Sequence, residues 1–151
     1  MISKSCQYAL RAVVFLASEA GDNVKLNVKQ IAKEIDAPEA FTAKILQVLN
    51  RHNIITSLKG PYGGFFIEEH QLDAPILNIV QAIDGLQVFI SCGLGLKQCS
   101  AKHPCPLHNE YEGLRNKMKE TFEKTTIRKL AKKIDTGAYF LAGASRKERM
   151  N

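Results

Sequence analysis

The tightest constraint on this chain's fold lies between Leu26 and Glu39, where one helix starts and stops and a second begins almost at once. Asn27 is a natural N-cap, Gln30 stands at the capping-box position, and Leu26 with Ile31 occupy the two positions of a hydrophobic staple. The helix that follows carries Val28, Ile31 and Ile35 as its apolar stripe. It stops near Asp36, where Asp36-Ala37-Pro38-Glu39 reads as a new start, with proline tolerated in a first turn and an acid suited to the positive end of the dipole. The second helix is predicted from about Pro38 to His52. Phe41, Ile45, Val48 and Leu49 are expected on its buried face, and Thr42, Lys44, Gln47 and Arg51 on its open side.

The flanking segments complete the pattern. Leu10, Val13, Val14 and Ala17 lie at helical spacing before Gly21. After the pair, the β-rich runs Ile54–Leu58 and Phe65–Ile67 enclose Lys59-Gly60-Pro61-Tyr62-Gly63-Gly64, a hairpin signature. The order helix, helix, tight turn, helix, hairpin predicts a winged helix-turn-helix. In that motif the last helix enters the DNA major groove and the wing follows the backbone. Candidate DNA-contacting residues are therefore Thr42, Lys44, Gln47 and Arg51 on the helix and Lys59, Tyr62 and Gly63 on the wing.

Charge agrees with a polyanionic partner. The net charge of +6 divides into +3 over residues 1–60, −2 over 61–109 and +5 over 110–151, so both ends are basic. Neither glycine cluster fits a nucleotide loop: the wing's lacks a Lys-Ser/Thr ending, and Gly93-Leu94-Gly95 lacks a third glycine. With no Ser/His/Asp order or paired carboxylates, no enzyme is expected. No apolar run approaches the roughly 20 residues of a membrane span, and Met1–Tyr8 lacks a secretory pattern, so a cytoplasmic protein is expected.

Downstream, Ile76, Ile79, Val80 and Ile83 form a short amphipathic helix ended by Gly85. Residues 110–124 form a longer one with Tyr111, Leu114, Met118 and Phe122 along one side. The partner of that stripe is either the same chain's core or, as expected, a second copy, which makes a two-fold homodimer whose recognition helices lie about 34 Å apart on a palindromic duplex. Thr126 caps a last short helix through Leu130. The expected divisions are a DNA-binding domain (1–85), a cysteine-rich loop (86–109), a dimerisation helix with the short terminal helix (110–135) and a tail (136–151), frayed from about Arg146.

The loop carries the sharpest chemistry: Cys92, Cys99, Cys105 and His108 fall within seventeen residues, interrupted by Gly93, Gly95, Pro104 and Pro106. In a reducing compartment such cysteines are thiols or metal ligands. Soft thiolates that converge in a loop suit an iron-sulfur cluster. Zinc accepts three cysteines and a histidine but prefers paired cysteines two to four residues apart, and the gaps here are six and five. A metal-free thiol switch stays open, as does an iron-sulfur redox module bearing a winged domain. His108 is the preferred fourth ligand, with His103 as a rival. Cys6, on the first helix, reads as a small buried residue, the alternative being that in a dimer it reaches a partner's centre.

Together, Tyr8-Ala9-Leu10-Arg11-Ala12, the wing Lys59–Phe65 and the cysteines ending in Cys105-Pro106-Leu107-His108 resemble the Rrf-two family of transcription regulators over residues 1 to 135. The resemblance implies a homodimer crossed by the long C-terminal helix, with an iron-sulfur cluster near the interface, the 2Fe-2S form preferred to 4Fe-4S. It implies control of iron-sulfur assembly, nitrosative-stress or redox genes. His108 matches a fourth ligand used by some members, whereas others use an aspartate where Gln7 stands. The six-residue first gap departs from a usual five, and Ala43 replaces an acidic residue linked to promoter choice.

Overall fold

The computed structural model describes residues 1–22, 24–142 and 144–145. Helix α1, Lys4–Ser18, begins where the Ser3 hydroxyl accepts from the Cys6 amide at 3.1 Å, and it buries Ala9, Ala12, Val13 and Leu16. Helix α2, Val28–Glu34, starts with the expected capping box: Asn27 accepts from the Gln30 amide at 2.8 Å, and Gln30 accepts from the Asn27 amide at 2.9 Å. Each such cap contributes about 1 kcal/mol. The chain then turns through Asp36, whose φ of 52° is left-handed, and enters α3, Glu39–Arg51. Arg11 holds this turn from α1. Its Nη1 donates to the Ile35 carbonyl at 2.7 Å while its guanidinium lies 4.9 Å from the Tyr8 ring centre.

The phase of α3 differs from the sequence expectation. Thr42, Ile45, Leu46 and Leu49 form its buried face, whereas Phe41 is 55% exposed. Thr42, expected on the open side, is wholly enclosed. Its hydroxyl donates to the Pro38 carbonyl one turn back at 2.9 Å, so its polarity is satisfied and its methyl packs inward.

Strands β1, Thr56–Leu58, and β2, Gly64–Phe66, form the antiparallel wing, with Ser57 opposite Phe65. They are shorter than the apolar runs because Ile54, Ile55 and Ile67 turn into the core. Leu26 pairs with Phe65 through two backbone bonds of 3.0 and 2.8 Å, which ties the wing's base to the start of α2.

Helix α4, Leu77–Ile83, lies against α1 and α3, and α5, His108–Lys124, runs from the cysteine loop back to the core. Helix α6, Ile127–Asp135, is capped by Thr126 and packs along α1, burying Ile127, Ala131 and Ile134. It closes the core of the winged domain rather than standing in an appended arm. The junction is clamped: Ile76 donates to the Thr125 carbonyl at 2.9 Å, Ile127 to Ala74 at 3.1 Å and Arg128 to Leu72 at 2.8 Å. The side chain of Arg128 also pairs with Asp73 and Glu69, each at 2.7 Å.

A two-stranded hairpin, β3 Phe140–Ala142 and β4 Ala144–Ser145, stands within the expected tail. The stretch from Arg146, expected to fray, lies outside the described residues. The core is aliphatic, with Ile31, Ile35, Leu46, Leu49, Ile55, Ile79 and Ile127 fully buried, each stabilising by about 1.5–3 kcal/mol. Among the described residues no helix is long and apolar enough to cross a membrane.

Candidate DNA interface and thiol centre

Two surfaces carry the candidate residues. The first is a cleft between α3 and the wing, lined by Gln47, Asn50 and Arg51 on the helix and by Ser57 and Lys59 on the hairpin. Lys44 is also exposed but borders a separate groove with Phe41 and Ile83. Tyr62 stands at the wing tip, 90% exposed. Gly63 has a reason internal to the wing: a Cβ there would meet the Leu58 carbonyl oxygen at 2.0 Å, so the turn closes only around glycine.

The second surface is the loop between the 3-10 turn Gln87–Phe89 and α5. Phe89 is buried and meets Phe122 of α5 edge-on, with ring centres 5.9 Å apart. Beyond it the sulfurs of Cys92, Cys99 and Cys105 all lie within 4.8 Å of one another. Cys92 Sγ is 3.6 Å from Cys105 Sγ, and His108 Nδ1, at the start of α5, is 3.2 Å from Cys99 Sγ. Three soft donors therefore gather at one point, and the imidazole joins them through Cys99.

The loop is arranged around that point. The Leu94 amide donates to Cys92 Sγ at 3.4 Å. Arg115 of α5 is buried and donates through Nη1 to the carbonyls of Ile90 and Ser91, fixing the backbone just ahead of Cys92. A Cβ at Gly93 would lie 2.9 Å from the Tyr111 ring, so this glycine lets the loop pack flat on α5. Amide donation from Leu96, then from Leu94 and the neighbouring thiols, holds the Cys92 thiol down at about 7 against its desolvation. Desolvation pushes the Cys105 thiol up.

The comparisons with known proteins bear on both surfaces. The model of the Rrf2 family, described as an iron-dependent transcriptional regulator, matches residues 2–133. The chain belongs to the Rrf2 family. A protein of Aquifex aeolicus described as an HTH-type transcriptional regulator is 32% identical over 132 residues, covering 86% of this chain and 90% of that protein. An rrf2-like regulator of Rhodobacter capsulatus is 31% identical over 107 residues, covering 70% and 69%. Among solved structures, CymR, the global cysteine regulator of B. subtilis, superposes with a TM-score of 0.72 at 21% identity, covering 88% of this chain and 97% of CymR. T. potens IscR superposes with a TM-score of 0.71 at 18% identity, covering 92% and 91%. These likenesses show the winged fold; the family match makes this Rrf2 chain a DNA-binding transcription regulator.

Not all the sequence-level candidates converge in this Rrf2 protein. Cys92, Cys99 and Cys105 do, and His108 touches them. His103 is exposed at the loop's outer mouth, where its amide is held by Ser100. Cys6 is enclosed between Val80 and Phe89, and burial, aided by the charge of Asp84, pushes its thiol up to about 12. It sits there as a small apolar side chain.

The stripe on α5 divides: Met118 and Phe122 pack on Cys6, Val80 and Phe89 of their own chain, Tyr111 covers Gly93, and Leu114 points away, 68% exposed. Asn50 and Ser57 escaped the sequence reading although they share the cleft with Gln47 and Lys59. Asn50 was legible, being a polar residue one turn beyond Gln47 on the same helix.

Proposed function

We propose that this Rrf2 chain acts as a homodimer whose affinity for a palindromic operator is set by an iron-sulfur centre, 2Fe-2S in preference to 4Fe-4S, held by Cys92, Cys99, Cys105 and His108. The observation that carries this is the convergence of three sulfurs within 4.8 Å with an imidazole 3.2 Å from one of them. The residues fit such a group: the donors are soft, one thiol is already acidic, and the buried His108 ring turns Nδ1 toward the thiols. When bound, the centre supplies chemistry sensitive to oxidation, nitric oxide and iron-sulfur supply.

The chain's own part is transmission. Cys92 and His108 lie on either side of the loop, and Arg115 and Phe122 fasten that loop along α5. The far end of α5 is clamped to the winged core at Thr125, so a shift at His108 tilts one rigid rod against the DNA-binding surface. Exposed Leu114, together with Tyr111 and the outer flanks of Met118 and Phe122, is the proposed seam between two copies. In the proposed complex Lys44, Gln47 and Arg51 face the major groove, and Lys59 and Tyr62 reach the backbone. Driving operator occupancy from 1:99 to 99:1 requires about 5.5 kcal/mol of differential affinity between loaded and empty states.

A second reading has one observation in its favour. Two sulfurs bound to one tetrahedral metal at about 2.3 Å stand roughly 3.8 Å apart, near the 3.6 Å between Cys92 and Cys105, a spacing that a single zinc ion accepts as readily as one iron of a cluster does. Anaerobic absorption spectra with iron, sulfide and zinc analysis separate the two, applied to the wild type, Cys92→Ala and His108→Ala. Brown, sulfide-containing protein that loses both in Cys92→Ala supports the cluster. Colourless protein with stoichiometric zinc overturns it. Binding of loaded and metal-free protein to a duplex selected from a random palindromic library then tests the switch, which fails if the two bind equally.

A further inference from the structure

Among the described residues, two buried side-chain nitrogens have no hydrogen-bond partner: His108 Nε2 and Arg115 Nε. Their residues line one cavity of about 280 Å³ behind the thiols, and Glu112 lines it with them. His108 and Arg115 are each nine-tenths buried. Glu112, one turn beyond His108 on α5, is half exposed, and its Oε2 stands 3.9 Å from His108 Nε2, outside hydrogen-bond distance but on the facing side. A second nitrogen of each side chain is engaged. His108 Nδ1 faces Cys99 Sγ, and Arg115 Nη1 holds the carbonyls of Ile90 and Ser91.

We infer that Glu112 is the positioning residue of the thiol centre, one carboxylate oxygen accepting from His108 Nε2–H and the other from Arg115 Nε–H. The inference deepens the proposed function and rests on His108 facing the metal. A carboxylate has two acceptor oxygens, and here it stands on the same helix within one turn of two unanswered donors, with rotamer freedom to reach them because its side chain is half in solvent. Donation from Nε2 fixes the tautomer in which Nδ1 keeps its lone pair toward the thiols, and it raises the basicity of that nitrogen. Donation from Arg115 joins the same carboxylate to the backbone ahead of Cys92. Glu112 thereby links the two sides of the loop, the histidine of one and the leading carbonyls of the other.

The test uses the full chain. Wild type, Glu112→Ala, Glu112→Gln and, as a charge control on the same helix, Glu110→Ala are compared for retention of iron or zinc against a chelator. Long-range nitrogen–proton spectra of the metal-free protein read the His108 tautomer. Expected are a loss of about 10–100-fold in metal retention for Glu112→Ala, a smaller loss for Glu112→Gln, which keeps one acceptor, and no change for Glu110→Ala. The His108 signals should report a single Nε2–H tautomer in the wild type and a mixture in Glu112→Ala. Unchanged retention and unchanged tautomer in Glu112→Ala overturn the inference. If the wild type holds no metal, the proposed function fails while the tautomer comparison still decides the role of Glu112; should Glu112→Ala not fold, Glu112→Gln carries the same comparison.

Discussion

The winged core and the cysteine loop are built on opposite principles. From α1 to α4 each helix carries a buried aliphatic face, and α6 returns to close the set. Between residues 86 and 107, by contrast, Phe89 is the one buried side chain among the described residues, and the backbone is held by Arg115, by short turns and by the thiols themselves. A surface that must fit a fixed groove needs a scaffold stable without a ligand. The loop's proposed role of answering to a ligand suits the reverse, since segments with few buried contacts lie at the low-stability end of a structure.

The two cysteine environments give the largest contrast. With Cys6 at about 12 and Cys92 at about 7, their thiolate fractions near neutral pH differ by roughly five orders of magnitude. In metal-free protein, alkylation of Cys92 should rise with pH through about 7 and then level off, because a lowered pKa fills the thiolate form early. Cys6 should stay silent until the protein unfolds, and mass mapping of the modified peptides reads both. Equal labelling would erase the distinction.

Leu49→Ala removes a fully buried side chain and should cost about 2–5 kcal/mol in urea unfolding of the metal-free protein. Cys99→Ser, in the loop, should stay within about 0.5 kcal/mol under the same conditions. A large loss from the loop variant would mean that the loop carries the fold. On the DNA side, Gln47→Ala should cost about 1–3 kcal/mol at one operator position, measured by anisotropy with mismatched duplexes. Lys59→Ala should weaken all duplexes alike and lower the salt slope by about 1. Asn27→Ala, which removes the α2 cap, should cost about 1 kcal/mol of stability with no change in metal content.

Local signals were legible where a few neighbouring residues decide the outcome. The capping box at Asn27 and Gln30, the short turn before α3 and the hairpin around Gly60–Gly64 need nothing from distant sequence, and the thiol spacing announced a common centre. The phase of α3 was not legible, because Phe41 and Val48 compete with Leu46 for the inward side. A threonine that answers its own hydroxyl one turn back passes for a surface residue. The stripe on α5 has partners that local sequence does not reveal: Met118 and Phe122 pack on Phe89 and Val80, whose positions depend on how residues 84–91 turn back toward α1. Glu112 was invisible in sequence, its meaning arising only once His108 and Arg115 are seen to share a cavity.

The packing of α6 along α1 also bears on how the chain is made. Ile127, Ala131 and Ile134 pack along α1 and are synthesised after the thiols at 92, 99 and 105, so the DNA-binding half stays incomplete until the cysteine loop has been made. On a translating ribosome the nascent thiol loop is therefore presented before the winged core has shut. Truncation before residue 127 should leave a chain that displays its cysteines but lacks the helix that completes its DNA-reading scaffold.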